Sequence, residues 1–214
     1  MSIGPEEFIP IAEEANLISA LGRFVMYEAC ARVGEWNRKL PADEGLAVSV
    51  NISSRQFMED DFIDMVKDAC SKGGISPSDL ILEITENTML NNTELIIRRL
   101  EAIDRMGIRL AIDDFGTGYS SLSYLHKFPI SILKIDRSFI NTITDREKIP
   151  AIVRGLLDLG RTLQLETVAE GIESDAQLGQ LRDQHCELGQ GYLFARPLPA
   201  HEAEQLLGVV TAAV

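Results

Sequence analysis

Two adjacent aspartates, Asp113 and Asp114, are the residues of this sequence whose type and spacing most directly suggest chemistry. They follow the apolar run 110–112, which is typical of a buried strand, and they precede a turn that contains Gly116 and Gly118. Because neighbouring carboxylates repel each other, such a pair requires solvent, a proton or a cation, and a divalent metal offsets the charge most economically. On this segment alone a solvated turn is the favoured interpretation, since turns are rich in aspartate and glycine.

Polar residues also interrupt or end other apolar segments. Glu83 lies inside the run 80–86, where a carboxylate is costly unless it is paired or bound to a metal. Lys134 interrupts the run 130–136; alone it indicates an edge strand, but with acidic residues at neighbouring strand ends we favour a buried cation facing carboxylates. Further polar residues at or near predicted strand ends are Asn51, Asp136, Glu170, Glu173 and Gln190. Because such ends converge on one site in α/β barrels and open sheets, these residues together reverse the first interpretation and predict a functional site.

Alternating apolar strands and amphipathic helices would position these side chains. The sequence pattern predicts strands at about 46–53, 80–86, 110–112, 130–136, 162–168 and within 186–194. It predicts helices within 8–40, at about 60–71, 93–106, 122–127, 147–159 and 201–209, and after a capping box formed by Ser174 and Gln177. This alternation indicates parallel βαβ units.

The number of predicted strands bears on the architecture. A TIM barrel of eight units takes about 250 residues, and this chain has 214 residues with six predicted strands. We therefore expect a TIM-like (β/α) barrel that is incomplete by one or two units, and an open six-stranded sheet is the structural alternative. Because the sequence shows no linker or low-complexity tract, residues 1–214 are expected to form a single domain.

The composition limits the possible partners and the location. With 33 acidic and 20 basic side chains, the formal net charge is −13, which disfavours binding to nucleic acid polymers or anionic membranes. No apolar run approaches the roughly 20 residues of a membrane span, and the start lacks a secretory pattern. We therefore expect a cytoplasmic protein without direct membrane insertion. A small anionic ligand would need positive charge supplied locally by a metal or a few basic residues.

Seven ordered segments of the sequence resemble the successive signatures of one known family. They are 8–14 (FIPIAEE), 50–53 (VNIS), 82–86 (LEITE), 113–122 (DDFGTGYSSL), 133–136 (LKID), 168–173 (VAEGIE) and 189–192 (GQGY). The family is the EAL domain family, whose members are phosphodiesterases that linearise the bacterial second messenger cyclic di-GMP. The resemblance implies a modified TIM barrel and a role in signal transduction.

The resemblance also implies residue roles and partners. It assigns Asn51, Glu83, Asp113 and Asp114 as ligands of two divalent cations, Mg²⁺ or Mn²⁺. It assigns Glu170 to the attacking water, and Lys134 and Gln190 to that water or the phosphate. The residues implied to order and support the site are Glu86, Phe115, Gly116, Thr117, Gly118, Tyr119, Asp136 and Glu173. A homodimer through the loop after Asp114 and adjacent helices is implied, and an upstream sensor or cyclase domain is a further expectation.

The sequence departs from the family pattern in one respect. The Glu-Ala-Leu strand that names the family does not occur in it. We therefore expect the first family strands to lie upstream of Met1, so that this chain is an N-terminally truncated domain with impaired activity on its own. The favoured function is hydrolysis of cyclic di-GMP to linear pGpG, and the alternative is a non-catalytic cyclic di-GMP receptor or interaction module of the same fold.

Overall fold

The computed structural model describes residues 3–41, 43–90, 94–117, 128–144 and 149–208. The chain divides into two compact units, Met1–Arg109 and Leu110–Val214, and each is treated by itself below. The predicted helix at 122–127 lies outside the described residues.

In the described part of the first unit, two parallel strands pack with several helices. Its elements are α1 (Pro5–Glu14), α2 (Ile18–Asn37), β1 (Val48–Ile52), α3 (Ser54–Phe57), α4 (Phe62–Gly73), β2 (Leu80–Thr85), α5 (Glu86–Leu90) and α6 (Glu94–Arg105). Strands β1 and β2 are parallel, and Asn51 lies opposite Glu83 in their register. Helix α4 ends at Gly74, which adopts the left-handed conformation that glycine tolerates best.

Helices α2 and α4 pack closely because small residues lie where they cross. A Cβ atom on Gly34 would lie 1.9 Å from the carbonyl oxygen of Gly73, and one on Gly73 would lie 2.6 Å from the carbonyl carbon of Cys30. Cys30 and Cys70 are buried free thiols, as expected for packing residues. Beside the crossing, the Tyr27 hydroxyl donates a hydrogen bond to the carboxylate of Asp68.

Four parallel strands occur among the described residues of the second unit. Its elements are β3 (Arg109–Phe115), β4 (Ile132–Ile135), α7 (Arg137–Ile140), α8 (Ala151–Thr162), β5 (Glu166–Glu170), α9 (Asp175–Asp183), β6 (Leu188–Gln190) and α10 (Ala200–Leu206), with β3 starting at the unit boundary. Strand β4 lies between β3 and β5, and β6 pairs with the other side of β5. All four residues of β4 are buried, which explains why its residues other than Lys134 are apolar.

All six predicted strands occur among the described residues, but several bounds differ from the predictions. The run 162–168 predicts a strand from Thr162, whereas α8 continues to that residue and β5 begins at Glu166. Gly160 lies inside α8, and a Cβ atom there would meet the Thr167 side chain at 2.3 Å, so the close approach of α8 to β5 requires glycine. The chain turns at Gln164, which has a φ of 57°. The capping box of Ser174 and Gln177 is confirmed.

Candidate active site

The aspartate pair lies within strand β3, at a β-bulge. Ile112 pairs with Leu133 and Phe115 pairs with Ile135, so Asp113 and Asp114 together oppose the single residue Lys134. Asp114 has a φ of 54°, in the left-handed region. Successive side chains of a regular strand point to opposite faces, and a bulge re-aims one of them. The irregularity therefore allows two consecutive carboxylates to serve one site.

Lys134 is the buried cation of this site. Its Nζ atom lies 2.9 Å from Oδ1 of Asp113 and 2.6 Å from Oε1 of Glu170. The side chains of Lys134, Asp113 and Glu170 are only 6%, 13% and 16% exposed. Because β4 lies between two strands, the edge-strand interpretation of Lys134 is wrong, and the structure agrees with a buried cation facing carboxylates.

The Asp114 carboxylate is in an environment that disfavours its charge. Loss of hydration is the main reason that the pKa of Asp114 is raised, and the nearby carboxylates of Asp113 and Asp136 raise it further. Lys134 and Arg137 act in the opposite direction. Asp114 is exposed as a whole residue, so the raised pKa reflects the cleft in which it lies rather than enclosure in the core.

A cleft of about 420 Å³ lies at Asp114 and Glu170. Its lining residues are Asp114, Asp136, Arg137, Glu170, Gly171, Glu173, Gln190, Gly191 and Tyr192. Glu170 and Gln190 are opposite each other in the β5–β6 register, which places both polar groups at the same end of their strands. The second unit therefore brings together the three predicted catalytic residues and the predicted ligands Asp113 and Asp114.

The other predicted metal ligands, Asn51 and Glu83, lie in the first unit. They are opposite each other on β1 and β2. The Glu83 side chain is buried, whereas Asn51 is exposed. The roles of Asn51 and Glu83 as metal ligands stay predictions.

The predicted supporting residues occupy several positions. Asp136 caps α7 by accepting a 2.9 Å hydrogen bond from the Ser138 amide, and it lines the cleft with Glu173. Glu86 begins α5 and is buried.

The predicted loop residues follow the bulge. Phe115 is buried, Gly116 has a φ of 94°, and Thr117 donates a hydrogen bond from Oγ1 to the carbonyl oxygen of Asp114 at 2.9 Å. Gly118 and Tyr119 lie outside the described residues.

Four lining residues of the cleft are absent from the predicted site: Arg137, Gly171, Gly191 and Tyr192. Arg137 follows Asp136 directly, and Tyr192 belongs to the segment 189–192 that carried the family resemblance. An aromatic residue after a polar strand end was the available signal for Tyr192. Helical or strand periodicity could not reveal it, because Tyr192 follows the last residue of β6.

The donor set fits a divalent cation. One ligand oxygen from each of Asp113, Asp114 and Glu170 can be chosen so that all three lie within 4.8 Å of one another. Carboxylate oxygens are hard ligands that suit Mg²⁺, Mn²⁺ and Ca²⁺. Three clustered carboxylates exceed the charge that Lys134 alone can offset, so a further cation would relieve their repulsion.

An α/β fold with parallel strands and an acidic cleft at their C-terminal ends is typical of TIM-like proteins, whose sites lie at that end of the strands. The EAL domain family model matches residues 1–197. The chain therefore belongs to the EAL domain family, and the predicted α/β fold of TIM-like EAL type is confirmed.

Proteins similar to this chain are described as cyclic di-GMP phosphodiesterases or were solved with cyclic di-GMP bound. The chain is 44% identical over 208 residues to the bifunctional diguanylate cyclase/cyclic di-GMP phosphodiesterase MucR of Pseudomonas aeruginosa, covering 97% of this chain and 30% of that protein. The solved structure of the P. aeruginosa MucR phosphodiesterase in complex with cyclic di-GMP has a TM-score of 0.88 and 42% identity, covering 94% of this chain and 81% of that one. The Klebsiella pneumoniae BlrP1 complex with calcium and cyclic di-GMP has a TM-score of 0.74 and 28% identity, covering 86% and 45%.

The chain is shorter than the curated relatives it matches. It spans between 25% and 30% of the length of the first three of them. Among the described residues, no helix is both long enough and apolar enough to cross a membrane.

Proposed function

We propose that this chain binds cyclic di-GMP in the acidic cleft and hydrolyses one phosphodiester bond, releasing linear pGpG. The observation that supports it most is the cluster of Asp113, Asp114 and Glu170 around the buried cation Lys134. The family membership supplies the substrate class, since both MucR and BlrP1 were solved with cyclic di-GMP.

The cofactors in this proposal are two divalent cations, Mg²⁺ or Mn²⁺. Asp113 and Asp114 would hold them, with Asn51 and Glu83 as the further predicted ligands. When bound, such ions lower the pKa of a water molecule and offset charge on phosphate oxygens. The formal net charge of −13 then does not exclude an anionic substrate, because the positive charge is supplied locally.

The remaining roles follow from the contacts around Lys134. Glu170 lies in the cleft, where its carboxylate can orient a water molecule and accept its proton. Lys134 holds Glu170 and Asp113 in fixed positions at 2.6 and 2.9 Å, so that neither carboxylate must be reoriented when substrate binds. Gln190, opposite Glu170, offers an amide donor to the water or to a phosphate oxygen.

The wider setting of the domain is part of the same proposal. The relatives are multidomain signalling proteins, so a sensor or cyclase domain is expected in the same polypeptide. We infer a homodimer formed through the loop after Asp114, and a cytoplasmic location, where the messenger would be accessible.

The test is incubation of the chain with cyclic di-GMP and Mn²⁺, followed by chromatography for pGpG. We expect slow turnover for the wild type, because the sequence contains no Glu-Ala-Leu glutamate. That turnover should fall by at least about 100-fold in Asp113→Asn, because one charged oxygen ligand is lost. Asp64→Asn is the matched control, since Asp64 is 85% exposed on α4, and it should retain full turnover.

The result distinguishes the two candidate functions. Binding of cyclic di-GMP without pGpG formation would overturn hydrolysis by this chain and would favour the receptor alternative. Unchanged turnover in Asp113→Asn would contradict the metal assignment.

A further inference from the structure

Tyr192 presents an aromatic ring at the cleft that holds Glu170 and Gln190. The residue is 54% exposed, although exposing a large aromatic side chain forgoes the stabilisation its burial would bring. The Arg196 guanidinium lies 4.7 Å from the centroid of the Tyr192 ring, within the range of a cation–π contact. The ring therefore has a cation against it and still retains about half of its accessible surface.

The backbone that carries Tyr192 is tightly fixed. The Ile172 amide donates to the carbonyl oxygen of Gln190 at 3.0 Å, and the Leu193 amide donates to the carbonyl oxygen of Ile172 at 3.0 Å. Between them, Gly191 lies so close that an added Cβ atom would be 2.1 Å from the Ile172 oxygen. Gln190 and Leu193, on either side of Tyr192, are thus both hydrogen-bonded to the backbone of Ile172. The backbone that carries the Tyr192 ring is therefore held in place before any ligand binds.

We propose that the Tyr192 ring is a stacking platform for one guanine base of a cyclic dinucleotide whose phosphodiester lies at Glu170 and Gln190. This inference rests on the proposed function for the ligand and assigns a residue to recognition of its base. Stacking on an aromatic ring is a common way to bind an exposed base, and a nearby guanidinium adds to it. The arrangement separates two tasks: polar groups bind the phosphate, and Tyr192 binds the base.

Substitutions at Tyr192 separate stacking from other contributions. Measured by calorimetry with Ca²⁺ as the divalent ion, cyclic di-GMP should bind Tyr192→Leu about tenfold or more weakly than the wild type. Tyr192→Phe should bind within about twofold of the wild type, because stacking does not need the hydroxyl. Phe194→Leu is the matched control: Phe194 is 50% exposed only two residues away but lines a different cavity, so its loss should leave binding unchanged.

Fluorescence reports the contact directly. Trp36 is the single tryptophan of the chain, so Trp36→Phe removes the background emission. When Tyr192→Trp is added to that variant, cyclic di-GMP should quench the tryptophan emission, because guanine would lie against the indole. The emission of Phe194→Trp in the same background should not change.

Two outcomes would overturn the stacking role. If Tyr192→Leu binds cyclic di-GMP as tightly as the wild type, the stacking role is wrong and the proposed function is unaffected. If Tyr192→Leu, Tyr192→Phe and Phe194→Leu all lose the same binding affinity, the effect is structural and the stacking role is again wrong. If the wild type itself does not bind cyclic di-GMP, the proposed function fails together with this inference.

Discussion

Lys134 holds two carboxylates that a metal site would also require. Its contacts with Asp113 and Glu170 are short, and all three side chains are largely buried. Removing one partner of such an arrangement leaves charge that the surroundings solvate poorly. The lysine is therefore both a stabilising group and a group that keeps the site in a defined geometry.

Lys134→Met should lower the free energy of unfolding by roughly 2 kcal/mol in EDTA. The cost is below that of a fully enclosed pair because the carboxylates retain 13% and 16% exposure. Mn²⁺ should restore part of the loss, since it offsets the same charges. Urea denaturation with and without the ion measures both effects.

The control for this variant is Lys67→Met. Lys67 pairs with Asp64 at 3.7 Å and is 56% exposed, so its loss should cost at most about 0.5 kcal/mol. Equal effects of the two substitutions would mean that the contacts of Lys134 do not contribute as described.

At the scale of elements, the crossing of α2 and α4 depends on its glycines. Gly34→Ala should lower the free energy of unfolding by about 1–3 kcal/mol, because its Cβ would meet the Gly73 backbone oxygen at 1.9 Å. Gly155→Ala in α8 is the control, since nothing lies within 4 Å of its added Cβ atom. The free energy of unfolding of Gly155→Ala should rise by about 0.5–1 kcal/mol, because alanine has a higher helix propensity than glycine. Denaturant titration of both proteins checks the contrast, and a neutral Gly34→Ala would contradict the close crossing.

Boundaries between elements show where sequence reasoning is sufficient and where it fails. Strand and helix types followed from local period-2 and period-3.6 patterns, and their order predicted parallel units correctly. The start of β5 did not follow, because the apolar residues Leu163 and Leu165 suit either a strand or a helix end. In the structure α8 continues to Thr162 and packs Gly160 against Thr167 of β5, a tertiary contact that the local pattern does not contain.

At the scale of the whole molecule, binding of a divalent ion should appear as added stability. A ligand that binds only the folded chain stabilises it by about 2.7 kcal/mol at 100 times its Kd. We expect Mn²⁺ to raise the melting temperature of the wild type in a concentration-dependent way, and Asp113→Asn to lose most of that response. Thermal scans give both results.

Ionic strength is the control for this experiment. Because the formal net charge is −13, any salt reduces self-repulsion. KCl of matched ionic strength should therefore shift the wild type and Asp113→Asn equally. A Mn²⁺ response of the same size in both proteins would indicate screening rather than a specific site.

The clustering of Asp113, Asp114 and Glu170 could be predicted from the sequence, but the detailed geometry of the cluster could not. Acidic residues at several strand ends indicated where Asp113 and Glu170 would lie. The bulge at Asp114 could not be predicted, because it depends on how β3 pairs with β4 and not on the residues of β3 alone. The contact between Tyr192 and Arg196 likewise depends on how the chain turns after β6.

The left-handed backbone at Asp114 restricts how this position can change during evolution. Among the residue types, glycine, asparagine and aspartate adopt a φ near 54° most readily. A lineage that no longer needed the carboxylate would therefore be expected to drift toward asparagine or glycine rather than alanine or valine. The residue type at position 114 would therefore stay restricted after the chemistry of the site had been lost, because the backbone conformation limits the choice of residue independently of the reaction.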